Sequence, residues 1–186
     1  MPNTYTTTAL VLKRRDWGDH DRLFCLYTKD YGKIDVIPKG PKKISSKLNS
    51  YMEPFYLIKV MIAKGKKIDR LCNCDLIKPY QNLRSDCNLL GFYLINYLTE
   101  TTDGLIHGQI SDVQKFDLLI NTLEVLDEEF RKSATSADNP SRGLRMTASA
   151  DSLDKQKLFF LANVYVYKLM NLLGYQPEIK RCLHCH

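Results

Sequence analysis

Cys182-Leu183-His184-Cys185-His186 sets two thiols at the CxxC spacing that zinc knuckles use. A structural zinc takes four ligands, and adjacent histidines rarely turn to one metal in so short a run. Zinc is therefore expected only as an incomplete set at Cys182 and Cys185, and no other cofactor is expected. His20 between Asp19 and Asp21 resembles a fragment of a triad or metal site. No Ser or Cys nucleophile lies in a recognisable elbow, so it reads as a turn histidine. The chain has no phosphate-cradling GK[ST] loop, no His-x-x-x-His and no paired-carboxylate motif. These absences point away from an enzyme.

The chemistry that the residues do support is the binding of a polyanion. From Tyr31 to Phe55 the chain reads YGKIDVIPKGPKKISSKLNSYMEPF, with Lys33, Lys39, Lys42, Lys43 and Lys47 between two strand-like pieces. Pro38 and Pro41 stiffen this arm and Gly40 hinges it. Lys64-Gly65-Lys66-Lys67 is a second cationic turn, and Arg14, Arg15 and Arg22 either extend the surface or pair with Asp16, Asp19 and Asp21. Residues 1–78 hold 16 Lys and Arg against 8 Asp and Glu, while 79–186 hold 11 against 13, so the net charge of +6 belongs to the first half. Lysine is a point charge with no preferred base edge, so contacts to phosphate, indifferent to sequence and weakened by salt, are expected. Tyr27, Tyr31, Tyr51, Phe55 and Tyr56 lie nearby and could stack on bases, although each is more readily a core residue.

The elements that must position these groups follow from the apolar pattern. Thr6–Arg14, Leu23–Thr28, Lys33–Ile37, Phe55–Ala63 and Ile68–Ile77 read as five short strands, the second and third forming a hairpin. Residues Arg14 to Arg22 read as a turn broken at Gly18, and Cys72 and Cys74 as core residues on one side of a strand. Five strands in so short a span predict a small barrel of the oligonucleotide-binding type, with an SH3-like barrel also allowed. Beyond Pro79 the period changes. Ser85–Thr102, apolar almost all round, predicts a buried helix; Ser111-Asp112 caps a second one, with apolar residues from Val113 to Phe130. Ser133–Asp151 reads as a mobile loop, and Ser152 caps a third helix that stops at Gly174. The expected fold is thus α+β: an OB-like five-stranded barrel over 1–79 and a helical bundle over 80–186. Nothing reads as a signal peptide, and no segment is long and apolar enough for a membrane span, so a reduced cytoplasmic setting is expected.

Several fragments, in order, resemble the RecO family of bacterial recombination mediators. They are Ala9-Leu10-Val11-Leu12, Trp17-Gly18-Asp19-His20-Asp21-Arg22-Leu23, Tyr27-Thr28, Tyr31-Gly32-Lys33, Lys39-Gly40, Lys42-Lys43, Ser46, Leu48 and Glu53-Pro54-Phe55. In the second half Leu83-Arg84 and Leu173-Gly174-Tyr175-Gln176-Pro177 continue the series into Cys182-Leu183-His184-Cys185. Trp17 and Asp19 stand where tyrosine and glutamate are common, and the second CxxC that many members carry does not follow. The resemblance implies a non-catalytic protein that binds single- and double-stranded DNA and anneals complementary strands. It also implies loading of RecA onto strands coated by single-strand-binding protein (SSB), with RecR and the SSB C-terminal tail as partners and the bacterial nucleoid as the place of work. An RNA- or ribosome-associated barrel acting as an adaptor remains the alternative.

Overall fold

The computed structural model describes residues 4–17, 21–38, 51–84, 88–137 and 155–175. Lys39, Lys42, Lys43, Lys47, His20, Ser152, Cys182 and Cys185, and the expectations stated for them above, lie outside these ranges. The expected strands form as β1 (Thr4–Trp17), β2 (Asp21–Thr28), β3 (Gly32–Pro38), β4 (Leu57–Ala63) and β5 (Asp69–Lys78). They close into a barrel in the order β1-β2-β3-β5-β4. All neighbours are antiparallel except β3 and β5, which run parallel through Val36↔Asp69, Ile37↔Arg70 and Pro38↔Leu71. Closure removes free sheet edges, so the strands need no covering element to satisfy their backbones.

The run Ala9-Leu10-Val11-Leu12 is continuously apolar because both faces of β1 are buried. Ala9 and Val11 point into the barrel with Phe24, Leu26, Val36, Ile58, Val60, Ile62 and Leu71, and Met52 fills out that core. Leu10 and Leu12 point outward and join Tyr27, Phe55, Leu57 and the helices in a second core.

Two expectations about the strands are corrected. β1 does not end at Arg14: the ladder continues through Arg15↔Leu23 and Asp16↔Arg22 to Trp17↔Asp21. The buried Leu23 and Phe24 need a backbone partner, and the polar end of β1 supplies it. Cys72 and Cys74 do not share a side. The β4–β5 register jumps from Met61↔Asn73 to Ile62↔Leu71, which leaves Cys72 as the extra residue of a bulge. Cys74 is buried, Cys72 exposed.

The helical part comprises the single turn α1 (Gln81–Arg84), α2 (Leu89–Leu105), α3 (Val113–Ala137) and α4 (Lys155–Leu172). Asn88 caps α2, its side chain accepting from the Gly91 N–H at 2.9 Å. Asp112 caps α3 as expected, accepting from the Lys115 N–H at 3.2 Å. Gly174, at φ 85°, follows the end of α4. The expected enclosure of the first helix is corrected: Leu94, Ile95 and Leu98 are buried, but Leu89, Phe92 and Tyr93 face solvent. The second helix continues to Ala137, past the expected loop start at Ser133.

Candidate nucleic-acid interface

The cationic turn between β4 and β5 is built by one carboxylate. Asp69 Oδ1 accepts from the Gly65 N–H at 3.0 Å, and its Oδ2 accepts from the Tyr5 hydroxyl at 2.8 Å. Burial first, and then the hydrogen bond to Asp69, push the Tyr5 phenol far up, so it stays a donor. Glycine is required at position 65 because a Cβ there would lie 1.8 Å from the Ile68 carbonyl oxygen. The outcome is a folded-back turn that leaves Lys64, Lys66 and Lys67 exposed, with no ion pair to a described residue.

The parallel β3–β5 pairing brings a second source of charge to the same place. Pro38, the last residue before the lysine arm, pairs with Leu71, a short step from the Lys64–Lys67 turn. Arg70 sits beside Ile37, exposed. Two strands further round, Arg15 pairs with Leu23, which lies one step beyond the Phe24↔Val36 pair. Arg15 and Arg70 are thus about three strand spacings apart, roughly 14 Å. Arg15, Arg22 and Arg70 are all exposed and, like the turn lysines, make no ion pair with a described residue. Arg70 carries no signal in the sequence; only the strand order places it with the others.

Other cations of the first half are engaged within the fold. Lys33 donates to Asp103 Oδ1 at 2.7 Å and to the Asp103 carbonyl at 2.8 Å, and Lys13 bonds the same carboxylate. Lys29 pairs with Asp117 and Lys78 with Asp127, both on α3. Arg14 takes Glu53 at 2.8 Å, not one of the neighbouring aspartates. Lys33 is therefore held against α2, and the outward side chains of β2, Cys25 and Tyr27, pack into the helical core. In OB barrels generally the β2–β3 face receives oligonucleotides. Here helices cover much of it, and the first-half cations without an ion pair to a described residue, Lys59 of β4 excepted, gather at the far end of that face and on the β4–β5 turn.

The aromatics divide in the same way. Tyr27 and Phe55 are core, Tyr31 packs on Tyr5 with ring centroids 4.3 Å apart, and Tyr56 lies under the Arg84 guanidinium at 4.4 Å. Tyr51 is half-buried against the barrel core.

Among the described residues no three His, Cys, Asp or Glu side chains are grouped to hold an ion. Burial pushes the Cys25 thiol up to about 12 and Cys74 up to about 11, and Cys72 points to the Arg70 carbonyl. Among the described residues, no helix is long and apolar enough to cross a membrane.

Comparison with known proteins agrees with this geometry. Residues 1–80 match the family model for the Recombination protein O N terminal domain. The chain is 27% identical over 185 residues to the DNA repair protein RecO of Dehalococcoides mccartyi strain 195, covering 100% of this chain and 62% of that protein. It is 25% identical over 181 residues to that of Pelotomaculum thermopropionicum, covering 97% and 59%. Against that of Bacillus pumilus it is 26% identical over 177 residues, covering 95% and 58%. The chain spans about three fifths of the length of the curated relatives it matches.

Proposed function

That this chain belongs to the RecO family is the premise from which we propose that it is a non-catalytic, DNA-binding recombination mediator. It binds single- and double-stranded DNA, anneals complementary strands and helps load RecA onto SSB-coated DNA in the bacterial cytoplasm. The observation that carries this reading is the closed barrel whose Arg15, Arg22, Lys64, Lys66, Lys67 and Arg70, without ion pairs to described residues, lie beside the exit to the lysine arm. Annealing asks that phosphate repulsion between two strands be relieved while base edges stay free to pair. Lysines and arginines that ignore sequence meet that need without nucleotide hydrolysis.

RecR and the acidic C-terminal tail of SSB are the proposed partners. A depression of about 380 Å³ between α3 and α4 supports a tail site, with Leu118 and Leu172 as its apolar wall and Lys168 as its cation. Lys157, also on α4, bonds Glu129 at 2.6 Å. Asp117 lines the same depression, and its pairing with Lys29 offsets its repulsion of an acidic peptide.

The test is strand annealing. Replacing Lys39, Lys42 and Lys43 by Glu should abolish it at low salt while the circular dichroism spectrum is unchanged. Annealing at the wild-type rate would defeat the assignment of the arm. Competition between single-stranded DNA and structured RNA separates this reading from an RNA-associated adaptor.

A further inference from the structure

We infer that Trp17 is a stacking platform for an unpaired base, set at the edge of the cationic surface. The inference rests on the proposed DNA reading and names the contact that would favour a single strand over a duplex. Trp17 is the last residue of β1 and is 47% exposed. A ring of this size left half in water forgoes much of the gain of burial, and none of the described aromatic pairs includes it.

Its position follows from alternation along the strand. Beyond the register shift at Leu12, Lys13, Arg15 and Trp17 share the outward face of β1, rising from the helices to the rim of the barrel. Lys13 is bonded to Asp103 of α2, Arg15 has no ion-pair partner among the described residues, and Trp17 lies roughly 7 Å beyond Arg15. Arg22 is next to Trp17's partner in the ladder, Asp21. Arg22 itself pairs with Asp16, so it lies on the other face of the strand, and Arg15 is the described cation on the indole's own face.

The half-exposed ring offers an uncharged face, on which a base can stack and a phosphate cannot. In a duplex each base is already stacked on both faces, so only an unpaired strand can offer one to Trp17.

The chain has one tryptophan, so its own fluorescence reports the contact. Oligothymidine should quench it saturably at low salt, whereas a duplex of equal length, its binding followed by anisotropy of a label on the DNA, should leave it nearly unchanged. Trp17→Ala should weaken oligothymidine binding about tenfold and duplex binding less than twofold, and Trp17→Phe should restore most of the difference. An unquenched indole at saturating oligothymidine overturns the inference, and so does a Trp17→Ala variant with wild-type affinity for the single strand. Either result leaves the DNA reading standing, provided binding still falls with salt. If the wild-type chain retains neither form of DNA in dilute buffer, the reading and the inference fall together.

Discussion

Asp103 shows how one residue decides which cations are left for a ligand. Partial burial alone would raise its carboxyl, but the hydrogen bonds and charges of Lys13 and Lys33 outweigh that, and the net direction is down. Its side chain and that of Lys33 are only 20% and 22% exposed, so the pair is less screened than a surface ion pair. A carboxyl depressed in the folded state stabilises above its unfolded value, near 4, and that contribution fades as pH falls through the folded value. Asp103→Asn should therefore cost about 2 kcal/mol at pH 7. The gap from wild type in urea midpoints should narrow as pH falls from 4 toward 3. A gap that is constant with pH would mean that packing, not charge, is what the substitution removes. The sequence offered no way to see this: Lys33 stands in a lysine-rich stretch with every appearance of a phosphate ligand, and its acid lies 70 positions away.

At the scale of elements, the strands were legible and their mutual order was not. Apolar runs bounded by turn residues locate β2 to β5 within a residue or two, although β2 is buried on both faces from Leu23 to Thr28 and does not alternate. The continuous run at Ala9–Leu12 announces a strand buried on both faces, but not which partner covers the second one. The Cys72 bulge is invisible because it arises from a register mismatch between two strands, not from either alone. The cationic turn combines both kinds of information: Lys64-Gly65-Lys66-Lys67 marks a basic turn, while the brace from Tyr5 through Asp69 comes from 64 residues upstream. Gly65→Ala tests whether that shape matters to binding. A Cβ 1.8 Å from the Ile68 carbonyl oxygen must open the turn, at a cost of about 2 kcal/mol in stability. DNA affinity should fall although every lysine is retained. Unchanged affinity would mean that the turn contributes charge without geometry.

The whole molecule is joined by an apolar seam. Leu10, Leu12, Tyr27, Phe55 and Leu57 leave the barrel and enter the same core as Leu94, Leu98, Phe116, Leu119, Leu123, Leu158 and Leu169 of the helices. The seam is tight at the β2–β3 turn. Gly32, at φ 67°, leaves no room for a Cβ, which would meet the Ile110 carbonyl oxygen at 2.5 Å, and the Lys33 N–H donates to the Gly108 carbonyl at 3.2 Å. Burying the five barrel side chains is worth at most roughly 1.5–3 kcal/mol each, about 10 kcal/mol together. That matches the whole stability of a typical domain, about 5–15 kcal/mol. A barrel stripped of its helices should therefore not hold its fold, although composition and period change sharply near Pro79 and a family model ends at residue 80. Residues 1–80 produced alone should bind hydrophobic dyes and lack a cooperative urea transition. The 186-residue chain should unfold in one step, with the Trp17 fluorescence of the barrel and the helical circular dichroism moving together. A fragment that unfolds cooperatively at the midpoint of the longer chain would mean that the seam adds little. The helices would then be an independent module rather than a part of the fold on which the barrel depends.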